Sequence, residues 1–239
     1  MLDFLYTIIY VPLYNGLIFL VDKVPGHDVG IAVILLTIVV RIVLFPLSKR
    51  AVESQLAMKK VAPEVEQLKK KHKDNPVEQN KAIMALYKER GIRPFSGFGL
   101  LLLQLPILIA LYYMFTHGGL PEIKSEILYS FVSAPESVDM QFLGFIDMSA
   151  AHNIVLAILV AISQFLYTRI SMGSTAKQES AVEASLSNDL AKSFDFQARY
   201  VMPVIIGTVG YFFPAVASLY LVTANIFMIG QEFLSGRRF

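Results

Sequence analysis

Long apolar blocks alternate with polar stretches along this chain. Three blocks of about 20 residues carry almost no charged side chain, and they cover residues 29–48, 97–116 and 151–170. A helix of 20 residues is ~30 Å long, which is the thickness of the hydrocarbon core of a bilayer. Each block therefore predicts one membrane-spanning helix.

A fourth apolar block covers residues 199–234 and is 36 residues long. A single helix of that length would measure ~54 Å, which exceeds the thickness of the bilayer. Phe213-Pro214 lies near its middle, and a proline inside a helix removes a hydrogen bond and clashes with an earlier carbonyl. The block therefore predicts two spans, 199–213 and 215–234, joined by a tight turn.

The N-terminal segment, residues 1–24, is apolar but interrupted by Asp3, Pro12 and Asn15. It predicts either an interfacial helix that lies on the membrane or a weak span. We favour the interfacial helix, because the next span begins only a few residues later. The predicted fold class is all-α: a polytopic membrane protein with an N-terminal interfacial helix (1–24) and a five-span core (25–239).

The composition agrees with a membrane protein and excludes several kinds of site. Hydrophobic residues make up 55% of the chain and charged residues 17%, whereas soluble domains carry about 25% charged residues. There is no Cys, which excludes disulfides and thiolate chemistry. The four His residues show no metal-ligand spacing, and no phosphate loop or Ser/His/Asp arrangement is present. We expect no enzyme activity, cofactor, metal or specific nucleic-acid site.

Basic residues are distributed unevenly between the polar segments. With five spans, the N-terminus and the 117–150 loop share one side, which holds Lys23 and Lys124 against eight acidic residues. The opposite side, with residues 49–93, residues 171–198 and the C-terminus, holds eighteen of the 21 basic residues when Arg169 and Arg199 at the adjoining span ends are included. Because Lys and Arg accumulate on the cytoplasmic side, this predicts an N-out, C-in topology.

The polar segment 49–93 predicts an antiparallel helical hairpin with a basic surface. Its two helical stretches are separated by the breaker Asp74-Asn75-Pro76, and the second ends at Gly91. Pro63 predicts the start of a fresh helical segment within the first stretch. Two interpretations stay open for this hairpin. Its lysines contact anionic lipid headgroups, or it docks a nascent chain or a ribosome.

Arg41 is a single charged residue inside the first predicted span. No acidic residue lies within ten positions of it on either side, and a charge within a span is costly and usually functional. The alternative is snorkelling, because Arg41 lies eight residues, or ~12 Å along the helix axis, from Lys49 at the basic interface.

Each of the other predicted spans carries at least one polar side chain, and a polar group that faced lipid would lack a partner. For any one of them, a hydrogen bond between packed helices is an alternative to a functional role. Together they predict a wetted polar interior around Arg41. Within the predicted spans, only Glu232 is acidic, which disfavours a proton or cation carrier and favours transient binding of an acidic or polar peptide. The polar residues are Gln104, Ser163, Gln164, Thr168, Thr208, Ser218, Thr223, Asn225 and Gln231.

Three stretches of the chain resemble the YidC/Oxa/Alb membrane protein insertase family. The first is TIVVRIVLFPLS (37–48), and the basic hairpin follows it. The second is MALYKERGIRPFSGFGLLLLQLPILIALYYMF (84–115), and the third is RYVMPVIIGTVGYFFPAVASLYLVTANIFMIGQEFL (199–234). The resemblance covers roughly residues 25–235. It implies a five-span core, a cytoplasmic hairpin, and a hydrophilic groove that opens to the cytoplasm and to lipid but is closed on the outside.

The resemblance places Arg41, Gln104 and Asn225 in the groove. We predict that four of the polar residues listed above join them. The candidate groove set is Arg41, Gln104, Gln164, Thr168, Thr208, Thr223 and Asn225. Because the chain has no Trp, aromatic groove contacts would come from Tyr or Phe.

The predicted function is the insertion of other membrane proteins into a bacterial plasma (inner) membrane. The expected partners are nascent membrane proteins and lipid, with a ribosome and a Sec translocon as further candidates. Two alternatives stay open, a small-solute transporter or channel and a structural assembly factor. The sequence shows neither an inverted hydropathy repeat nor acidic residues in the middle of the spans, and both absences disfavour the transporter.

Overall fold

The computed structural model describes residues 2–93, 96–117, 119–172 and 196–234, and helices dominate them. An N-terminal helix is formed by α1 (Leu2–Leu5), a π-helical segment (Tyr6–Tyr10) and α2 (Val11–Lys23). The other helices are α3 (Val29–Val43), α4 (Phe45–Lys60), α5 (Ala62–Lys71), α6 (Pro76–Glu89), α7 (Ser96–Thr116), α8 (Ile154–Met172), α9 (Met202–Phe212), which follows a π-helical segment (Gln197–Val201), and α10 (Ala215–Leu234). A short antiparallel pair, β1 (Gln141–Phe142) and β2 (Ile146–Asp147), departs from the all-α prediction.

The first predicted span ends earlier than the hydropathy indicated. We predicted one helix over 29–48, but α3 ends at Val43 and α4 begins at Phe45. Pro46 explains the break, because its ring cannot donate a hydrogen bond and clashes with the carbonyl four residues earlier. The proline instead occupies the first turn of α4, where a missing N–H costs nothing.

The break in the last apolar block is confirmed. Helix α9 ends at Phe212 and α10 begins at Ala215, with Phe213 in an extended conformation before Pro214. Helices α8 and α10 are long and apolar enough to cross a membrane. Within the described residues, a third candidate arises when the bent pair that begins at Val29 is counted as one span. Most of the predicted 171–198 loop, residues 173–195, lies outside the described residues.

The chain divides into two compact units. One unit comprises residues 1–42 and 106–239, and the other comprises Val43–Leu105. In the first unit, α8, α9 and α10 pack against one another. A Cβ added at Gly207 of α9 would lie 2.8 Å from the Cβ of Ala161 on α8. Small residues therefore let these two helix backbones approach closely.

The second unit contains the predicted helical hairpin. Helix α5 begins at Ala62, so Pro63 lies in its first turn as predicted. The Asn75 side chain caps α6 by accepting a hydrogen bond from the Glu78 amide at 3.1 Å. Across the hairpin, Arg90 donates to both carboxylate oxygens of Glu64, at 3.0 and 2.9 Å.

The 117–150 loop lies at one end of the first unit, which we call the loop end. The Asp28 carboxylate caps α3 by accepting from the Ile31 amide at 3.0 Å, and it also accepts from the Leu143 amide at 2.9 Å. Near the turn between α9 and α10, the Val216 amide donates to the Met148 carbonyl at 3.0 Å. The loop is thus fastened both to the start of α3 and to the start of α10.

The N-terminal helix is packed into the first unit through part of its length. Tyr14, Leu17, Ile18 and Val21 are fully buried, whereas Phe4 is 63% exposed. The spacing of the buried residues places them on one face of the helix. Whether the N-terminal segment, residues 1–24, lies at the membrane interface stays a prediction.

Candidate functional site

Arg41 points into the first unit. It is 5% exposed, and it continues the buried face of α3 after Val33 and Thr37. The spacing of four residues places these three side chains on one face of the helix. Val39 and Ile42, on the opposite face, are 50% and 58% exposed. Arg41 therefore does not run along the exposed apolar surface of α3, as a side chain that snorkels past lipid would.

Two tyrosines lie close enough to the Arg41 guanidinium to interact with its charge. They are Tyr220 on α10 and Tyr167 on α8. Tyr220 is 1% exposed, and Tyr167 is partly exposed. A tyrosine hydroxyl is a neutral dipole that can both donate and accept hydrogen bonds. The two tyrosines therefore place polar groups near the cation without adding a formal negative charge.

A polar contact joins α8 to α10. The Asn225 side-chain amide donates to the Ser163 hydroxyl at 3.1 Å, and that hydroxyl donates to the Val160 carbonyl at 3.0 Å. Asn225 is 2% exposed and Ser163 is 7% exposed. Tyr167 follows Ser163 by one helical turn, so the two side chains lie on the same face of α8.

Gln164 and Thr168 form a second polar pair on α8. The Gln164 amide approaches the Thr168 hydroxyl at 3.4 Å, and that hydroxyl donates to the Gln164 backbone carbonyl at 2.8 Å. The Thr223 hydroxyl on α10 donates to the Leu219 carbonyl of its own helix at 2.8 Å. Each threonine hydroxyl therefore has a partner within its own helix.

Thr208 lies away from these groups. It is exposed, and its hydroxyl donates to the Val204 carbonyl of its own helix at 2.9 Å. The helical spacing places it with exposed Val204 and Phe212, opposite Gly207 and Gly210, which are buried against α8 and α10. The structure does not bring Thr208 together with Arg41.

Gln104 belongs to the second compact unit, in α7, and its side chain is partly exposed. Its place in the groove stays a prediction. Within the described residues, no group of three or more His, Asp or Glu side chains could hold a metal ion.

Sequence reasoning missed Tyr167 and Tyr220, because a hydropathy pattern treats tyrosine as part of an apolar span. Helical spacing is the signal that could have indicated Tyr167. Tyr167 lies four residues after Ser163 and three after Gln164, on the face of α8 that the polar residues already marked.

Comparisons with known proteins show what the chain as a whole is similar to. A family model described as "60Kd inner membrane protein" matches residues 20–239. A membrane protein insertase YidC of Oceanobacillus iheyensis is 29% identical over 236 residues, which cover 97% of this chain and 84% of the relative. A membrane protein insertase YidC of Clostridium perfringens is 31% identical over 209 residues, which cover 87% of this chain and 78% of the relative.

A solved structure shares the fold. It is described as an active YidC insertase with its first transmembrane domain resolved, and it superposes with a TM-score of 0.59 at 24% identity. The match covers 93% of this chain and 46% of that chain, so this chain spans about half the length of the solved protein. The family model covers nearly all of this chain and the two YidC relatives cover most of it, and the chain therefore belongs to the YidC/Oxa/Alb family.

Proposed function

We propose that this protein inserts other membrane proteins into the lipid bilayer of a bacterium. The observation that carries the proposal is Arg41, which is buried on the inward face of α3 and interacts electrostatically with Tyr167 of α8 and Tyr220 of α10. The relatives are insertases by name, and a buried cation within the spans suits transient attraction of an acidic peptide segment.

The topology we propose has five spans, with the N-terminus and the 117–150 loop outside the cell and the 49–93 hairpin inside. The uneven distribution of Lys and Arg supports this orientation. The N-terminal helix lies at the outer interface, with aromatic Phe4 and Tyr6 exposed where aromatic rings favour the headgroup region. The membrane in which we place these spans is the inner membrane of the bacterium.

In the mechanism we propose, the hairpin gathers the client at the cytoplasmic face. Helix α5 ends in three consecutive lysines, Lys69, Lys70 and Lys71, which attract anionic headgroups and acidic client segments. A polar groove that includes Arg41, Gln164, Thr168, Thr223 and Asn225, all of which belong to the first unit, then shortens the hydrocarbon barrier. A ribosome and a Sec translocon are candidate partners that deliver the client.

Arg41 attracts acidic residues of the client tail. A charge pair at ~4 Å is worth up to ~4 kcal/mol at an effective dielectric near 20, before desolvation is subtracted. Because Arg41 is 5% exposed, the tail reaches it only when a neighbouring side chain moves aside. Tyr167, which is less buried than Tyr220, is the side chain we expect to yield. The hydrophobic segment of the client then leaves into lipid, driven by apolar burial at ~25 cal/mol per Å².

Reconstitution tests the function directly. The purified protein is placed in liposomes, a single-span client with an acidic N-terminal tail is added, and the tail that becomes protected from protease is measured. We expect protection above that in protein-free liposomes. Solute flux without client protection would instead support a transporter or channel. Binding of folded clients without protection of new ones would support a structural assembly factor.

A further inference from the structure

Two neighbouring side chains of the N-terminal helix bind the first part of the 117–150 loop. The Tyr14 hydroxyl donates to the Gly119 carbonyl at 2.9 Å and accepts from the Lys124 amide at 2.8 Å. Tyr14 is fully buried. One hydroxyl thus joins two loop positions that lie five residues apart.

Asn15 binds the next part of the loop. Its side-chain oxygen accepts from the Tyr129 amide at 2.6 Å, and its nitrogen donates to the Ile127 carbonyl at 2.9 Å. The same nitrogen donates to the Val11 carbonyl of its own helix at 2.9 Å. Asn15 is 2% exposed, so both donors and the acceptor of this amide are satisfied inside the protein.

These contacts hold a different part of the loop from the contacts described above, in which the Asp28 carboxylate binds the Leu143 amide. Near α10 the loop is held by backbone pairs such as Val216 to Met148. The stretch 119–129 is held instead by side chains of a helix that precedes the proposed spans. Buried polar groups tolerate the loss of one partner poorly, because the remaining partner is left without a hydrogen bond. The Gly119 amide also donates to the Met114 carbonyl at 3.1 Å, but among the described residues the polar contacts between the N-terminal helix and this stretch are those of Tyr14 and Asn15.

We propose that Tyr14 and Asn15 are positioning residues that hold the 119–129 stretch across the loop end and so close the outer side of the groove. This rests on the proposed function, since only a groove that is open to the cytoplasm needs closure outside. The N-terminal helix thereby acts as a clamp on the loop in addition to lying at the interface. Loss of the clamp lets water and ions pass through the loop end while the spans and Arg41 stay in place.

The test compares Tyr14→Phe and Asn15→Ala with Tyr10→Phe in the full-length protein. Tyr10 is a matched control, because it lies one turn from Tyr14 on the same helix and stacks on its ring, with centroids 6.0 Å apart. Three quantities are measured for each protein: proton leak in liposomes that contain a pH-sensitive dye, hydrogen exchange of the Lys124 and Tyr129 amides, and insertion of a client.

We expect faster proton leak for Tyr14→Phe and Asn15→Ala than for the wild type and Tyr10→Phe. Exchange of the Lys124 amide in Tyr14→Phe should quicken roughly tenfold, which corresponds to ~1.4 kcal/mol, the size of one or two net hydrogen bonds. In Asn15→Ala, hydrogen exchange of the Tyr129 amide should quicken by a similar factor. The thermal midpoint of unfolding should stay close to that of Tyr10→Phe.

Two results would overturn the proposal. Leak equal to that of Tyr10→Phe despite faster amide exchange would show that the stretch is not the outer closure. Unchanged exchange would show that the two side chains do not hold it. If Tyr14→Phe does not fold, Asn15→Ala decides by the same measurements. If the wild-type protein fails to insert the client, the proposed function is refuted. The comparison of proton leak between the variants still tests whether the stretch is the outer closure.

Discussion

The Asn225 amide nitrogen lies 3.1 Å from the Ser163 hydroxyl oxygen, across the interface between α8 and α10. The contact joins two apolar helices at one level, and helical spacing places Tyr167 of α8 one turn further along the same face. Because Tyr167 and Tyr220 both interact electrostatically with Arg41, the contact helps to hold together the two helices that carry these tyrosines.

The first prediction concerns that contact. A double-mutant cycle of Asn225→Leu and Ser163→Ala should give a coupling energy of about 0.6 kcal/mol and at most ~1.7 kcal/mol, the range found for hydrogen bonds between membrane helices. The measurement is the free energy of unfolding in detergent. Thr223→Val replaces Asn225→Leu in the control cycle, because the Thr223 hydroxyl donates to its own helix. A coupling near zero in both cycles would contradict the prediction.

The second prediction concerns the approach of α9 to α8. Gly207→Ala should destabilise the protein by about 1–3 kcal/mol, the usual cost of overpacking, because the new Cβ would lie 2.8 Å from Ala161 and 3.2 Å from the Ala157 carbonyl. Gly230→Ala is the control, since nothing lies within 4 Å of its added Cβ. It should be neutral, or more stable by up to about 1 kcal/mol. Equal effects of the two variants on unfolding would refute this packing.

The third prediction concerns the hairpin. Asn75→Ala should destabilise the first turn of α6 by about 1 kcal/mol, because the Glu78 amide loses its cap. Hydrogen exchange at Glu78 measures this change. Glu64→Gln should cost less than about 1 kcal/mol, since its pair with Arg90 is 42–53% exposed and screened by solvent. A larger effect from Glu64→Gln would mean that the ion pair, and not the cap, organises the hairpin.

Much of the fold could be predicted from hydropathy and proline positions. The break after Phe212 followed from block length and Pro214 together. The end of α3 at Val43 did not, because hydropathy shows residues 29–48 as one apolar block and does not register the break at Pro46. Length alone cannot distinguish a 20-residue span from a shorter helix followed by a new one.

The candidate groove residues differ in where they lie, although the groove itself stays a prediction. Arg41 and Asn225 are buried on inward faces, whereas Thr208 lies on the exposed face of α9. Counting polar residues within a span does not tell which face they occupy, and a threonine can satisfy its hydroxyl within its own helix. In the sequence pattern, Asn15 is an interruption of an apolar segment. Its partners lie more than 100 residues away, and no local pattern indicates them.

The fourth prediction concerns topology. Cysteines introduced singly as Ser130→Cys and Asn80→Cys, in a chain without native Cys, should react with a membrane-impermeant reagent from opposite sides. Both positions are exposed, so failure to react on one side reports the location of the residue and not its burial. Labelling of both from the same side would refute the five-span, N-out arrangement.

The central claim is that the charge of Arg41 acts on acidic client tails. Arg41→Lys keeps the charge and should retain much of the insertion, because a point charge suffices for attraction. Arg41→Ala removes the charge and should lower insertion of acidic tails by roughly tenfold if ~1.4 kcal/mol of the attraction is realised. Neutral tails do not depend on this attraction and should be affected less.

The most direct measurement is the fraction of client tail protected from protease after reconstitution, for wild type, Arg41→Lys and Arg41→Ala, with tails that differ only in the number of Asp residues. Thermal unfolding of each variant establishes that it is folded. The account predicts that the loss in Arg41→Ala grows with the number of Asp residues and is largely restored in Arg41→Lys. An equal loss for acidic and neutral tails, or loss of the fold in Arg41→Ala, would contradict it.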